Sequence, residues 1–301
     1  MGQQEMYWSL LALSVGDASG ENELKILPQS EYKAGNVAAT RDGSILWPWT
    51  DDTAMAIGVF RTLSRYGTIN QVELTKEFAR NAKLDPQRGY GKGTARLLFN
   101  YLYDAENWRE LSEHAWGLTP MSGSKGNGSA MRDVIIGPYF DRDFHRIANE
   151  ARRSAEVTHF HLESIHGSIA VAVAAAVATF EAHPEKWFWS ELNMHVPDGE
   201  IKTRIQTVAK MGNETNWKVV GAVGNGSSVL AVDTVPFALW LSHQVLTKGM
   251  NFEQAMKSII EVGGDTDTVA AMVGGIIGNK VHPTQEMIDR TEPLPADICK
   301  E

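Results

Sequence analysis

Apolar residues recur along most of this chain at the three- and four-residue spacing of a helix face. The periodicity predicts helices at Met6–Val15, Thr53–Arg65, Gln71–Asn81, Lys92–Tyr103, Phe144–Val157, Leu162–Phe180, Glu200–Lys210, Val229–Leu246, Phe252–Glu261 and Thr266–Gly278. Strict polar–apolar alternation, the mark of a half-buried strand, is nearly absent. The pattern therefore predicts an all-α fold, a compact single-domain helical bundle over residues 1–301. No stretch rich in Pro, Gly or Ser splits the chain, and no repeat of a solenoid period is visible. The longest apolar run, Ile169–Phe180, is rich in Ala and Val and too short to cross a bilayer. Its small side chains predict a buried helix packed closely on its neighbours. The longest irregular stretch is Asn22–Trp49, and loops of that length usually carry function.

Composition narrows the class. Of 301 residues, 43% are hydrophobic and the net charge is −9, which suits a globular chain with a real core. The acidic balance and scattered Lys and Arg argue against nucleic acid as a partner. Met6–Leu13 is apolar but has Glu5 before it and no basic flank, so it does not read as a signal peptide, and no membrane partner is expected. Cys299 is the only cysteine, which excludes a disulfide framework and a thiolate metal site. A reducing, cytoplasmic location and a monomer are the expectations.

Two acidic clusters change the picture most. Thr50-Asp51-Asp52 and Asp265-Thr266-Asp267-Thr268 each stand just before a small, apolar, helical stretch, Thr53–Ile57 and Val269–Met272. Both should lie at helix N-termini, where N–H groups and the macrodipole favour anionic oxygen. One such cluster alone is the ordinary sign of a capped helix. The doubled pattern, with Gly263-Gly264 opening the backbone before the second, points further. Carboxylates converging without a counter-charge repel, and at least one must stay protonated. A divalent cation removes that cost, and oxygen donors without His or Cys suit Mg2+ or Mn2+.

Gly-Asn-Gly-Ser occurs twice, at 126–129 and 224–227, each time before an apolar stretch. Glycine-rich turns ahead of helices can present backbone N–H groups to phosphate. His159, His161 and His166 lie close in sequence, but an i, i+2 pair does not share a helix face. His159 reads as a substrate-contacting or core histidine and not as a metal ligand. Trp47, Trp49 and Tyr90 flank the irregular motifs as packing residues or as a face for a stacked base.

Taken in order, Gly16-Asp17-Ala18, Thr50-Asp51-Asp52-Thr53-Ala54-Met55, Arg88-Gly89-Tyr90-Gly91, Gly126-Asn127-Gly128-Ser129-Ala130-Met131-Arg132, Thr158-His159 and Gly263-Gly264-Asp265-Thr266-Asp267-Thr268 resemble the ADP-ribosylglycohydrolases. That group includes dinitrogenase-reductase-activating glycohydrolase and the vertebrate ADP-ribosylhydrolases. The likeness runs from about Met6 to Ile288, and Asp85–Gly91 with Gly224-Asn225-Gly226 and Val235-Pro236 is similar to the ADP-ribosylhydrolase 3 branch. The resemblance implies an all-α bundle with two Mg2+ ions in a cleft, held by Thr50, Asp51, Asp52, Asp265, Asp267 and Thr268. It implies that Gly123, Ser124, Gly126, Asn127 and Gly128 line the diphosphate and distal-ribose site, with His159 nearby. Tyr90 joins them as a candidate substrate contact. Lys125 departs from the branch, which carries an aromatic there, and a cation at that place can pair with the diphosphate.

The implied reaction is hydrolysis at the anomeric carbon of a ribose, on an ADP-ribosylated protein or other ADP-ribose conjugate. It passes through an oxocarbenium-like transition state. A carboxylate serves as general base or acid. Asp52 is the first choice and Glu23 the second. The family places a Glu after the Gly-Asp motif, at a spacing that here lands on Leu24, with Glu21 and Glu23 beside it. The loop Gly20–Trp49 that carries them is expected to move and close over the metals. The rival reading is a non-catalytic ADP-ribose-binding or crystallin-like member of the same fold. Such members tend to lose acidic ligands, whereas this chain keeps all four Asp of the two clusters.

Overall fold

The computed structural model describes residues 2–24, 46–115, 123–180 and 182–298. Among them every regular element is a helix, and the only β pairing is two isolated bridges, Trp47 with Thr291 and Gly126 with Leu230. The expected helices all form. They are α1 (Gln3–Glu21), α2 (Asp51–Tyr66), α3 (Gln71–Leu84), α4 (Lys92–Tyr101), α8 (Phe144–Glu156), α9 (Leu162–Phe180), α11 (Glu200–Ala209), α13 (Ala231–Lys248), α14 (Phe252–Val262) and α15 (Thr266–Ile277). Periodicity did not anticipate α5 (Trp108–His114), α6 (Ala130–Asp133), α7 (Ile136–Phe140), α10 (Pro184–His195), α12 (Asn216–Val223) or α16 (Gln285–Arg290). Most of these are too short to show a stripe. In α10 the consecutive Trp187, Phe188 and Trp189 blur the pattern, although Pro184 at its first turn is a start signal.

Helix α9 sits at the centre. From Ser164 to Ala178 every residue is buried, because α6, α7, α8, α10, α13 and α15 pack around it. A helix apolar all round must be enclosed on all sides. The whole helix is 19 residues and apolar enough to cross a membrane, so the 12-residue run understated it; 83% of its most apolar window is buried inside the bundle.

Helix α1 runs on to Glu21, six residues past the expected Val15, so Gly20 is helical. Gly16 and Gly20 let α1 lie against α15: a Cβ on Gly16 would come within 2.2 Å of the Ala270 carbonyl oxygen. This pairing brings the far ends of the chain together and sets Asp17 near Asp267. Helix α13 begins at Ala231, not Val229, because Val229 adopts a left-handed φ of 54°. A β-branched residue there is strained, and its carbonyl accepts a hydrogen bond from the Asn127 N–H at 3.0 Å. Residues 25–45, most of the loop expected to close over the site, lie outside the described residues.

Candidate metal centre and ligand cleft

Thr50 is the N-cap of α2, and its hydroxyl accepts from the Asp52 N–H at 3.3 Å. The other leading donors of the helix are also occupied. The Asp17 carboxylate accepts from the Thr50 N–H at 3.0 Å, the Thr53 N–H at 3.0 Å and the Thr53 hydroxyl at 2.6 Å. The Arg88 carbonyl accepts from the Asp51 N–H at 2.7 Å. The N–H groups expected to favour anionic oxygen do hold it, and the carboxylate is that of Asp17 from α1. Their effect is to fix the helix start from which Asp51 and Asp52 extend.

The second cluster opens α15, with Asp265 at its N-cap. Gly263 and Gly264 precede it at φ 63° and 96°, and a Cβ on Gly264 would lie 2.2 Å from the Asn225 carbonyl oxygen. Only glycine allows the chain to turn there against the 224–227 loop. Asn127 donates its amide to Asp265 Oδ2 at 2.6 Å and to Thr234 Oγ1 at 3.0 Å, which ties the cluster to the first glycine turn. Thr268 and Thr50 both direct hydroxyls at Asp52 Oδ2, at 3.4 Å and 3.1 Å. Asp52 is thus the point where the two acidic helix starts meet, 216 residues apart in sequence.

The electrostatics follow from this gathering. Burial pushes the Asp52 carboxyl well above its ordinary range, and Asp17, Asp267, Asp51 and Asp265 push it further. Burial and then Asp267 raise Asp17 to about 8, and raise Asp51 and Asp265 to about 7. Without a counter-charge a large share of these carboxyls keeps its protons near neutral pH. Asp52 Oδ1 is buried and has no hydrogen-bond partner. A buried carboxylate among raised acids, with Oδ1 unpartnered and Oδ2 met by two threonine hydroxyls, fits hard divalent cations. Among the described residues no three His, Cys, Asp or Glu side chains gather into one metal-holding group, so the threonine hydroxyls and solvent have to complete any ion's shell.

At the end of α1, burial and then the Asp267 and Glu23 charges raise the Glu21 carboxyl. Glu21 is therefore in electrostatic reach of the cluster. Glu23 follows on the turn after the helix, exposed and at φ 49°. The Tyr90 hydroxyl is buried without a partner, and its acidity is suppressed by burial and by nearby Asp51.

The segment Gly123–Gly128 meets the acidic cluster through Asn127. Ser164 of α9 donates its hydroxyl to the Ser124 and Gly126 carbonyls at 2.8 and 2.9 Å, and Gly126 N–H meets Ser124 Oγ at 3.1 Å. His159, 3% exposed, lies beneath the turn, and a Cβ on Gly128 would come within 2.9 Å of its ring. Burial depresses its pKa to about 3, so it is a neutral support near neutral pH. Lys125 stands exposed at the edge of this turn. The second Gly-Asn-Gly-Ser turn is not a phosphate cradle of the expected kind. Its Gly226, Ser227 and Ser228 N–H groups go to Asp233 O, Asn225 Oδ1 and Asp233 Oδ2. It buttresses Asp265 and the first turn instead. Trp47 and Trp49 are 6% and 8% exposed, and the Arg88 guanidinium covers the Trp49 ring at 3.7 Å, so neither offers a face to a base.

Two residues of the site stand in the family motifs without a role of their own there. Asp17 caps α2 from another helix; an acid set among apolar residues of α1 was the available signal. Arg132, fully buried, donates to the Gly128 and Ser154 carbonyls at 3.0 and 2.8 Å and fixes the glycine turn from below.

Residues 4–281 match the ADP-ribosylglycohydrolase family. ADP-ribosylhydrolase ARH3 from Homo sapiens is 29% identical over 258 residues, spanning 76% of this chain and 70% of that protein. The Xenopus tropicalis ADP-ribosylhydrolase ARH3 is 28% identical over 281 residues, spanning 84% and 78%. A solved structure described as an ADP-ribosylglycohydrolase-related protein complex superposes with a TM-score of 0.60 at 21% identity, covering 93% of this chain and 88% of its own, which supports the shared all-α fold. With a match over nearly its whole length, the chain belongs to the ADP-ribosylglycohydrolase family.

Proposed function

We propose that this chain, as one ADP-ribosylglycohydrolase-like domain acting as a monomer in the cytoplasm, hydrolyses the glycosidic bond between ADP-ribose and an acceptor. The acceptor is a protein side chain, Arg- or Ser-linked, and ADP-ribose is released. The observation that carries this reading is Asp52, buried where two acidic helix starts meet, with one oxygen unpartnered and the other shared by Thr50 and Thr268. Thr50, Asp51, Asp52, Asp265, Asp267 and Thr268 would hold two Mg2+ ions, with Mn2+ as the alternative. Bound there, the ions would supply the positive charge that ionises the carboxylates and polarises the ribose hydroxyls.

The chain's own groups do the rest. Asp52, once ionised, accepts a proton at Oδ1 from the attacking water. Glu23 or its neighbour Glu21, approaching from the end of α1, is the second acid. The segment Gly123–Gly128 and Lys125 receive the diphosphate, which the bulk charge of −9 would otherwise repel. Arg132 and His159 hold that segment in place, and Tyr90 closes the cleft beside Asp51. This rigidity fixes the ribose before the bond breaks.

The test is incubation with defined Arg-linked and Ser-linked ADP-ribosyl peptides, with Mg2+ and after chelation. Mg2+-dependent release of free ADP-ribose is the expected result. Binding of ADP-ribose without release from either peptide would instead assign the non-catalytic reading.

A further inference from the structure

The first acidic cluster is held by a part of the chain that the family match does not cover. That match ends at residue 281. Beyond it, Glu292 accepts a two-pronged pair of hydrogen bonds from Arg88, Nη1 to Oε2 at 2.6 Å and Nη2 to Oε1 at 2.6 Å. The guanidinium also donates to the Trp49 carbonyl at 2.8 Å, pairs with Asp85 at 2.8 Å and covers the Trp49 ring. Trp49 immediately precedes Thr50. The Arg88 carbonyl then takes the Asp51 N–H at 2.7 Å.

The backbone of the C-terminal segment follows the same strip. Trp47 N–H donates to the Arg290 carbonyl at 2.7 Å, Glu292 N–H to the Trp47 carbonyl at 2.9 Å, and the Trp49 indole N–H to the Glu292 carbonyl at 3.2 Å. Residues 47–51 are therefore gripped on both sides, by Arg88 and by 290–292. A planar fork bonded twice to a carboxylate fixes direction as well as distance, which a lysine could not do. Neither Arg88 nor Glu292 belongs to the donor set proposed for the ions.

We propose that Arg88 and Glu292 form a clamp that sets the position of Thr50, Asp51 and Asp52, and that the C-terminal segment thereby controls divalent-cation affinity at the site. Both are positioning residues. The consequence for cations rests on the binuclear reading above; the consequence for the geometry of the helix start does not.

The experiment uses the full chain with Glu292→Ala, and Glu292→Gln as a same-size replacement should the alanine variant fail to fold. Asp297→Ala is the control. Asp297 tethers the same C-terminal segment to Arg61, at 2.7 and 2.9 Å, farther down α2 and away from the cluster. Mg2+ affinity by calorimetry and amide exchange at Asp51, Asp52 and Thr53 are measured in parallel. The clamp predicts a dissociation constant raised by about 10–100-fold in the Glu292 variant, the range seen when an outer support of a metal site is removed. It also predicts exchange of those amides faster on the order of tenfold. Asp297→Ala should leave both near wild type. Equal effects in the two variants, or none in either, overturn the clamp. If the wild-type chain binds no Mg2+, the binuclear reading fails and exchange alone decides: faster in the Glu292 variant than in Asp297→Ala keeps the clamp, and equal rates overturn it.

Discussion

Asp267 is the charge that the other acids of the cleft feel. It raises Asp17, Asp51, Asp52, Asp265 and Glu21. Replacing it should therefore relieve repulsion in the cation-free protein. We expect Asp267→Ala to melt in chelator at or above the wild-type temperature, yet to lose turnover and the rise in melting temperature caused by Mg2+. For wild type that rise corresponds to about 2.7 kcal/mol at a concentration of one hundred dissociation constants. An unchanged Mg2+-dependent rise in Asp267→Ala would sink the ligand assignment. The acid at the end of α1 is tested in the same way, residue by residue. The Glu21→Gln, Glu23→Gln double variant should turn over more slowly by about 10²–10⁴-fold with much less change in ADP-ribose affinity. The two single variants then divide the effect between them. Wild-type turnover in the double variant would leave Asp52 as the remaining candidate.

At the level of elements, the site depends on how closely α1 and α15 approach. Gly16 faces the Ala270 carbonyl, and Gly274 faces the Ala12 carbonyl, where a Cβ would come within 2.4 Å. An added methyl cannot be absorbed by rotating a side chain, because the obstacle is backbone. Gly16→Ala should push the helices apart and cost about 1–3 kcal/mol, the usual range for overpacking. Asp17 is the next residue, so the start of α2 should shift with it. A lower melting temperature together with weaker Mg2+ binding is the expected pair of outcomes. Lower stability with unchanged cation affinity would show that α1 does not set the cleft.

Over the whole molecule, the buried acids make stability depend on pH. Asp17 binds its proton up to about 8 in the folded chain and Asp51 and Asp265 up to about 7, against 3.8 when unfolded. Between those limits the folded state holds more protons, so stability falls as pH rises. In chelator the melting temperature should drop from about pH 4 to about pH 8 through these groups. Mg2+ held by these carboxylates would compete with the same protons, so its stabilising effect should grow over that range. A chelated protein with a flat profile, and a Mg2+ effect independent of pH, would mean the carboxylates are not gathered as described.

The helical class, the main helices and the two acidic clusters were legible in the sequence because each is local. A 3.6-residue stripe, an N-cap and a glycine turn are written within a few neighbouring residues. The ordered motifs carried the family for the same reason. Periodicity alone ended α1 at Val15, before Gly16 and Gly20, which are contact points with α15. It also made Val229 the first residue of a helix, whereas its backbone is left-handed and its carbonyl accepts the Asn127 N–H. The tertiary structure alone decided that Asp17 would occupy the N–H groups of α2, that the second Gly-Asn-Gly-Ser turn would spend its donors internally, and that Arg88 would reach Glu292, 204 residues away. The physical reason is common to all three. A donor's partner is chosen by which groups burial leaves without water, and that depends on how the helices pack, not on what stands next in the chain.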